Sequence, residues 1–275
     1  MNEGFAVISG KVSDIYSKDL EFISNIAKNR YSSFKTANHE WINSVENSEY
    51  RSALERVRAS PDIINKISDK FNTKNIKNVT ETDEIYWAVS PKNATGSDRS
   101  LVDCHYDSPF AWFPTGGVIY YRVIIACNEN NTVITIFPDE EMRVKMSTSY
   151  FHGLDYNKDW HCVEGKIPEG KYRVLLKLHY LVTPEGSEFW EEYVKYINIQ
   201  WTVLSRETMR MSANPKNILE YIIAGTVTFC RIIFNYFYVF IFTFIFLAII
   251  YYNRKYIINT LGISNRKSKI RMLYS

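Results

Sequence analysis

Cysteine is scarce in this chain. Its 275 residues include four, Cys104, Cys127, Cys162 and Cys230, and no two form a CxxC pair. A chain of this length does not need a disulfide framework, so the default expectation is four reduced thiols in a reducing compartment. Charge of one sign is also scarce. The formal net charge is +3, and the basic residues form no stripe over the first 215 positions, which excludes a nucleic-acid-binding surface. The first ten residues lack a basic start and a long apolar run, so no secretory signal peptide is expected. No internal repeat is evident. The length suits one well-buried domain plus an appendage and leaves no room for a second large domain. What the chain has in quantity is aromatic residues, 20 Tyr and 16 Phe, which suit both β packing and a membrane segment.

Residues 232–252 read IIFNYFYVFIFTFIFLAIIYY, without a charge. At about 1.5 Å per residue such a helix spans the roughly 30 Å hydrocarbon core. Tyr236, Tyr251 and Tyr252 sit where interfacial aromatic belts lie. A buried helix of a globular core would seldom need so continuous a run of large apolar side chains. Beyond it, Arg254, Lys255, Arg266, Lys267, Lys269 and Arg271 form a basic tail with no acidic residue. The positive-inside rule would put this tail in the cytoplasm and the main domain across the membrane. Against that, a large domain made before its only span stays in the cytosol when no signal peptide leads it. The expectation is a single-pass protein with a cytosolic main domain, a lumenal domain being the alternative. Sequons at Asn78, Asn93 and Asn130 would matter only in the lumenal case, and a chain this rich in Asn contains some by chance.

Residues 13–71 read as helical. Ile15, Leu20, Ile23 and Ile26 follow helical spacing, Trp41, Val45, Ala53 and Val57 continue a second stripe, and Pro61 after Ser60 starts a third helix through Ile63, Ile64, Ile67 and Phe71. After Asn72 the pattern turns to short β-type runs near 84–90, 99–105, 118–127, 132–137, 142–148, 159–164, 171–182 and 193–204. Turn residues such as Pro114-Thr-Gly-Gly117 and Pro184-Glu-Gly186 separate them. Eight such strands predict a double-sheet jelly roll. The expected organisation is a helical N-terminal segment over 1–80, a jelly-roll domain over 81–210, a membrane-proximal segment over 211–231, a transmembrane helix over 232–252 and a basic tail over 253–275. The fold class is thus mainly β with a helical N-terminal part and one C-terminal transmembrane helix.

Chemistry concentrates in Leu101-Val-Asp-Cys-His-Tyr-Asp-Ser-Pro-Phe110. In an extended segment residues i and i+2 share a face, so His105 and Asp107 point together while Tyr106 points away. His161 follows roughly fifty residues on, then Arg173 on an apolar strand. Two imidazoles and one carboxylate can hold iron(II) on one face and leave the remaining positions open. This order of His-x-Asp, distal His and basic residue resembles the 2-oxoglutarate- and iron(II)-dependent oxygenases, whose core is a double-stranded β-helix. The resemblance covers about residues 100–180 and rests on four positions. It implies a dioxygenase that decarboxylates 2-oxoglutarate to succinate and hydroxylates an unidentified prime substrate; the apolar run at 232–252 would anchor this dioxygenase to a membrane. It further implies His105, Asp107 and His161 as iron ligands, with His152 the alternative third ligand. Arg173 would be the co-substrate's arginine, with Lys171 the alternative. Tyr120, Tyr121 or Arg122, on the strand after the His-x-Asp loop, would add a hydrogen bond, Tyr121 being the one singled out.

Other readings of the same residues stand beside this one. A catalytically inactive jelly-roll membrane protein with a structural or interaction role would keep the fold and lose the metal. Zinc held by Cys104, His105, His161 and Cys162 suits by ligand type, but neighbours on a strand face opposite ways. A Cys-His nucleophile lacks an orienting third group. The helical N-terminal part carries no visible chemistry, and His39 there reads as a surface or capping residue.

Overall fold

The computed structural model describes residues 6–31, 38–89, 104–165, 167–168, 170–213, 216–235, 241, 243–248, 251 and 253. The chain divides into two compact units, residues 1–227 and 228–275.

Two β-sheets organise the first unit. The larger carries seven strands: β1 (Ile8–Lys11), β2 (Asn38–Trp41), β3 (Ile76–Asn78), β4 (Glu84–Val89), β5 (Ile119–Ala126), β8 (Tyr150–Asp155) and β10 (Tyr172–Val182). Their order is β1-β8-β5-β10-β4-β2, with β3 pairing on β10 beside β4. The smaller sheet is β7-β6-β9, from β6 (Asn130–Phe137), β7 (Met142–Met146) and β9 (Cys162–Gly165). All these pairings are antiparallel.

Alternation along β10 explains the layers. Val174, Leu176, Leu178, Tyr180 and Val182 enter one core with Tyr121, Val123 and Ile125 of β5. Helices α1 (Ser17–Tyr31), α2 (Ser48–Arg58) and α3 (Pro61–Phe71) cover that face through Leu20, Ile23, Val57, Ile63 and Ile67. Each of these buried aliphatic side chains stabilises the fold by about 1.5–3 kcal/mol. The opposite face packs Ala126, Leu154 and Leu175 against Val133, Phe137, Val144 and Met146 of the smaller sheet. The result is a sandwich whose inner face holds the alternate residues Arg173, Lys177 and His179 of β10. This is the jelly-roll layering the strand pattern predicts, with a helical layer on the back.

Several expectations need correction. Residues 1–80 are not purely helical: β1, β2 and β3 join the larger sheet, and as strands of three or four residues they carry too little alternation to read. Within the first helical stripe, Ile15 is exposed rather than buried. The run 193–204, expected as a strand, lies inside helix α4 (Glu191–Ala213). Its β-branched and aromatic residues suggest a strand, but the buried positions Val194, Asn198, Trp201, Thr202 and Ser205 follow helical spacing. Strand β8 falls in a stretch read as a connection. The strand expected at 99–105 lies outside the described residues except for its last two positions, of which His105 forms an isolated bridge.

Helix α5 (Ile218–Asn235) follows α4. In the second unit all described residues are helical. Among the described residues no helix is long and apolar enough to cross a membrane. The run 232–252 lies in part, and the basic tail almost wholly, outside the described residues.

Candidate metal centre

His105 and His161 face each other across a single antiparallel bridge. Each backbone N–H donates to the other's carbonyl, at 2.9 Å and 3.1 Å. Asp107 shares its face with His105 through the i, i+2 alternation. The three side chains converge, one ligand atom from each lying within 4.8 Å of the others. His105 Nε2 stands 3.8 Å from Asp107 Oδ1, and His161 Nε2 3.9 Å from Asp107 Oδ2. A cation at about 2.1 Å from each donor needs them about 3 Å apart, so closure takes less than about 2 Å.

The surroundings prepare these donors. His161 Nδ1–H donates to the Asp159 carbonyl (3.1 Å), which leaves the Nε2 lone pair facing the cluster, as ligating histidines require. Arg122 Nη1 donates to Asp107 Oδ2 at 2.7 Å, leaving Oδ1 toward His105. Burial works against the Asp107 charge, but Arg122, then His161 and His105, outweigh it and hold the carboxyl far below the usual carboxylate range. Arg122 is fixed in turn. Its Nε donates to His179 Nε2 (2.9 Å), and its guanidinium lies 4.4 Å from the Tyr156 ring centroid. Trp201 Nε1, from α4, donates to the Asp107 carbonyl (3.1 Å).

His179 and His152 are fully buried. Burial, followed by the nearby cation Arg122, pushes His179 down to about 4, while burial and then His161 push His152 down to about 3. Both fold neutral and must charge on acid unfolding. Their folded values lie below the unfolded one, so the stability they contribute is complete above about pH 6.5 and is lost as pH falls toward 4. Between pH 7 and pH 5 the two together remove roughly 3–4 kcal/mol of unfolding free energy. Denaturant unfolding at pH 7 and pH 5 checks this, an unchanged midpoint being the contrary result.

Arg173 lies on the inner face, 3% exposed, and its Nε finds no hydrogen-bond partner among the described residues. Burial lowers its pKa, with Tyr86 acting the other way. The neighbouring cations are engaged: Lys177 and Arg206 both bind the buried Glu84, at 3.0 Å and, through Arg206 Nε, 2.6 Å. His39 also meets Glu84 (3.2 Å), so it is a half-buried residue paired with a buried carboxylate rather than the expected surface or capping one.

Three alternatives fall elsewhere. Lys171 is exposed. Tyr121 is on the helix-facing side of β5, its hydroxyl donating to the Ala6 carbonyl (2.7 Å), so it cannot assist the centre; Arg122, one residue on, is the member of that group that does. His152 faces inward but sits outside the three-residue cluster, its Nδ1 3.1 Å from Met146 Sδ.

The expectation of four free thiols is also corrected. Cys104 and Cys162 form a disulfide, which removes the zinc reading that used them. Cys127 is free and buried. Sequence reasoning placed Trp201 and Arg206 on a strand or beyond it and so missed both. Helical spacing in 191–208 was the signal that would have brought them over the inner face.

The chain matches no protein-family model and no curated protein. Solved structures follow a related chain path. A viral collagen prolyl hydroxylase from Paramecium Bursaria Chlorella virus-1 is 10% identical with a TM-score of 0.42, over 66% of this chain and 92% of its own. A prolyl-4-hydroxylase from Pseudomonas putida is 10% identical with a TM-score of 0.40, over 66% of this chain and 95% of its own. The non-heme alpha-ketoglutarate-dependent epimerase SnoN from nogalamycin biosynthesis is 12% identical with a TM-score of 0.44, over 68% and 83%. At such distances the chemistry of the centre is read from this chain's own residues.

Proposed function

We propose that the chain is an oxygenase dependent on iron(II) and 2-oxoglutarate, with His105, Asp107 and His161 as metal ligands. Arg173 is the partner of the co-substrate's distal carboxylate. The carrying observation is the convergence of two imidazoles and one carboxylate within 4.8 Å. This donor set suits iron(II) and leaves positions for 2-oxoglutarate and dioxygen. Bound there, iron(II) supplies the dioxygen activation that couples decarboxylation of 2-oxoglutarate to hydroxylation of a carbon on the prime substrate. Arg122 holds Asp107 in its charged form and fixes its orientation. His179 and Tyr156 hold Arg122, and Trp201 ties the Asp107 backbone to α4. The buried Arg173, whose Nε has no hydrogen-bond partner among the described residues, is suited to a carboxylate, which its guanidinium can bind bidentately.

Anaerobic titration of the purified protein with Fe(II), followed by 2-oxoglutarate and dioxygen, tests the reading. One equivalent of metal binds and succinate accumulates slowly without prime substrate. No metal binding at neutral pH sinks it. A second reading rests on the Arg122–Asp107 contact: the guanidinium is the permanent partner of the carboxylate, and the domain is a non-enzymatic interaction or structural protein. That reading expects neither metal binding nor succinate.

We also assign residues 232–252 as a membrane anchor, on their uncharged apolar composition and length. The full chain should stay with membranes through alkaline carbonate washing, while a chain ending at residue 217 should be released and keep its β-rich circular dichroism. Equal partitioning of the two forms contradicts the assignment.

A further inference from the structure

The disulfide stands directly beside the metal ligands. In the register of the His105/His161 bridge, Cys104 lies opposite Cys162 and Tyr106 opposite Trp160. Cys104 immediately precedes His105, and Cys162 immediately follows His161. Alternation sends the two imidazoles to one face and the sulfurs to the other, so the bridge clamps the ligand pair without entering the cluster. Among the described residues the bridge stands outside the ladders of both sheets; its two hydrogen bonds are joined by the His105–His161 ring contact at 4.6 Å and the Tyr106–Trp160 ring contact at 4.7 Å. The sulfurs join segments 58 residues apart in sequence. Cys162 is buried, but Cys104 is only half-buried, which gives a small thiol a line of attack. Cys127, under the helical layer with its thiol pushed up to about 12 by burial, does not compete for exchange.

We infer that the Cys104–Cys162 pair is a redox-sensitive positioning element whose thiol–disulfide state sets how tightly the centre holds a divalent cation. The inference rests on reading His105, Asp107 and His161 as ligands. The step is ordinary exchange with an external dithiol. One dithiol sulfur attacks Cys104 Sγ and displaces the Cys162 thiolate, which takes a proton from solvent. The second dithiol sulfur then displaces Cys104 as its thiol, and the dithiol leaves as its own disulfide. Reduction removes the covalent tie beside the two imidazoles, so the His105 backbone gains freedom relative to His161 while Asp107 stays held by Arg122 and Trp201, and the metal must then gather its imidazole ligands against that freedom. Partners that orient metal ligands typically contribute about ten- to a hundredfold to affinity, and a loss of that size is expected here.

The test uses the full chain in detergent micelles with Co(II) as the probe, titrated anaerobically in three forms. These are the intact disulfide form, the form reduced by a phosphine that is then removed, and Cys104→Ser/Cys162→Ser. The intact form should bind one Co(II), the other two about ten- to a hundredfold more weakly, with reoxidation restoring the first but not the variant. Circular dichroism should be unchanged, while exchange of the His105 and His161 amides accelerates without any metal. Equal affinity in all three forms overturns the inference and leaves the metal centre standing. Weakened binding with global loss of circular dichroism overturns it too, since the disulfide would then serve the whole fold. Absence of Co(II) binding in every form removes the metal reading and this inference with it.

Discussion

His161→Ala and Asp107→Ala should each lose stoichiometric binding of Fe(II) or Co(II), measured by anaerobic titration, while His152→Ala keeps it. The two losses should differ in their cost to the fold. His161→Ala removes one donor and leaves the Arg122–Asp107 pair intact. Asp107→Ala strips Arg122, itself 1% exposed, of its carboxylate, and leaving a buried charge without its partner costs about 3–5 kcal/mol. Asp107→Asn separates the two roles. The amide oxygen still accepts from Arg122, so part of the stability returns, but the charge that helps hold the metal does not. Denaturant midpoints therefore rank His161→Ala and Asp107→Asn above Asp107→Ala, although all three are metal-free. If His152→Ala loses the metal and His161→Ala retains it, the third ligand has been misassigned.

The centre was legible where strand alternation carried it. His105 and Asp107 share a face because they are two apart, whereas His161 was chosen over His152 by its place in the oxygenase-like order, and the structure brings the three together. Alternation along 171–182 put Arg173 on one face with Lys171, Lys177 and His179, and only the resemblance to the oxygenase pattern singled Arg173 out among them. What alternation could not supply was which face of each strand turns inward. Tyr121 and Arg122 are adjacent, and only the register of β5 on β10 and β8 decides that Arg122 meets Asp107 while Tyr121 meets the helical layer. The disulfide was hidden for a similar reason. Cys104 and Cys162 lack any motif spacing and become partners only once the His105/His161 bridge sets them opposite one another. Trp201 and Arg206 were lost through a wrong period: the run 193–204 is rich in strand-favouring residues, yet it packs as α4 because its buried positions recur every three to four residues. Tertiary burial overrode local propensity there.

Arg173→Met should weaken 2-oxoglutarate binding and stabilise the metal-free protein, two effects of opposite sign from one substitution. Arg173 is buried on the inner face, and its Nε has no hydrogen-bond partner among the described residues; burying a charge without a partner is unfavourable. Methionine keeps most of the apolar stem and removes the charge. A gain on the order of 1 kcal/mol in the unfolding free energy of the metal-free form is therefore expected. Binding runs the other way. A charge-assisted contact to a carboxylate contributes about 1.5–3 kcal/mol, so its loss raises the 2-oxoglutarate requirement about ten- to a hundredfold. Metal affinity should be unaltered, because Arg173 belongs to neither the ligand set nor the Arg122–His179 support. Lys171→Met serves as the control, since that side chain is exposed and should change neither quantity. A purely structural role for Arg173 predicts a different pair of results: lower stability in the variant and unchanged 2-oxoglutarate dependence. Titration calorimetry of the metal-loaded protein with 2-oxoglutarate, run beside denaturant unfolding of the metal-free form, distinguishes the two.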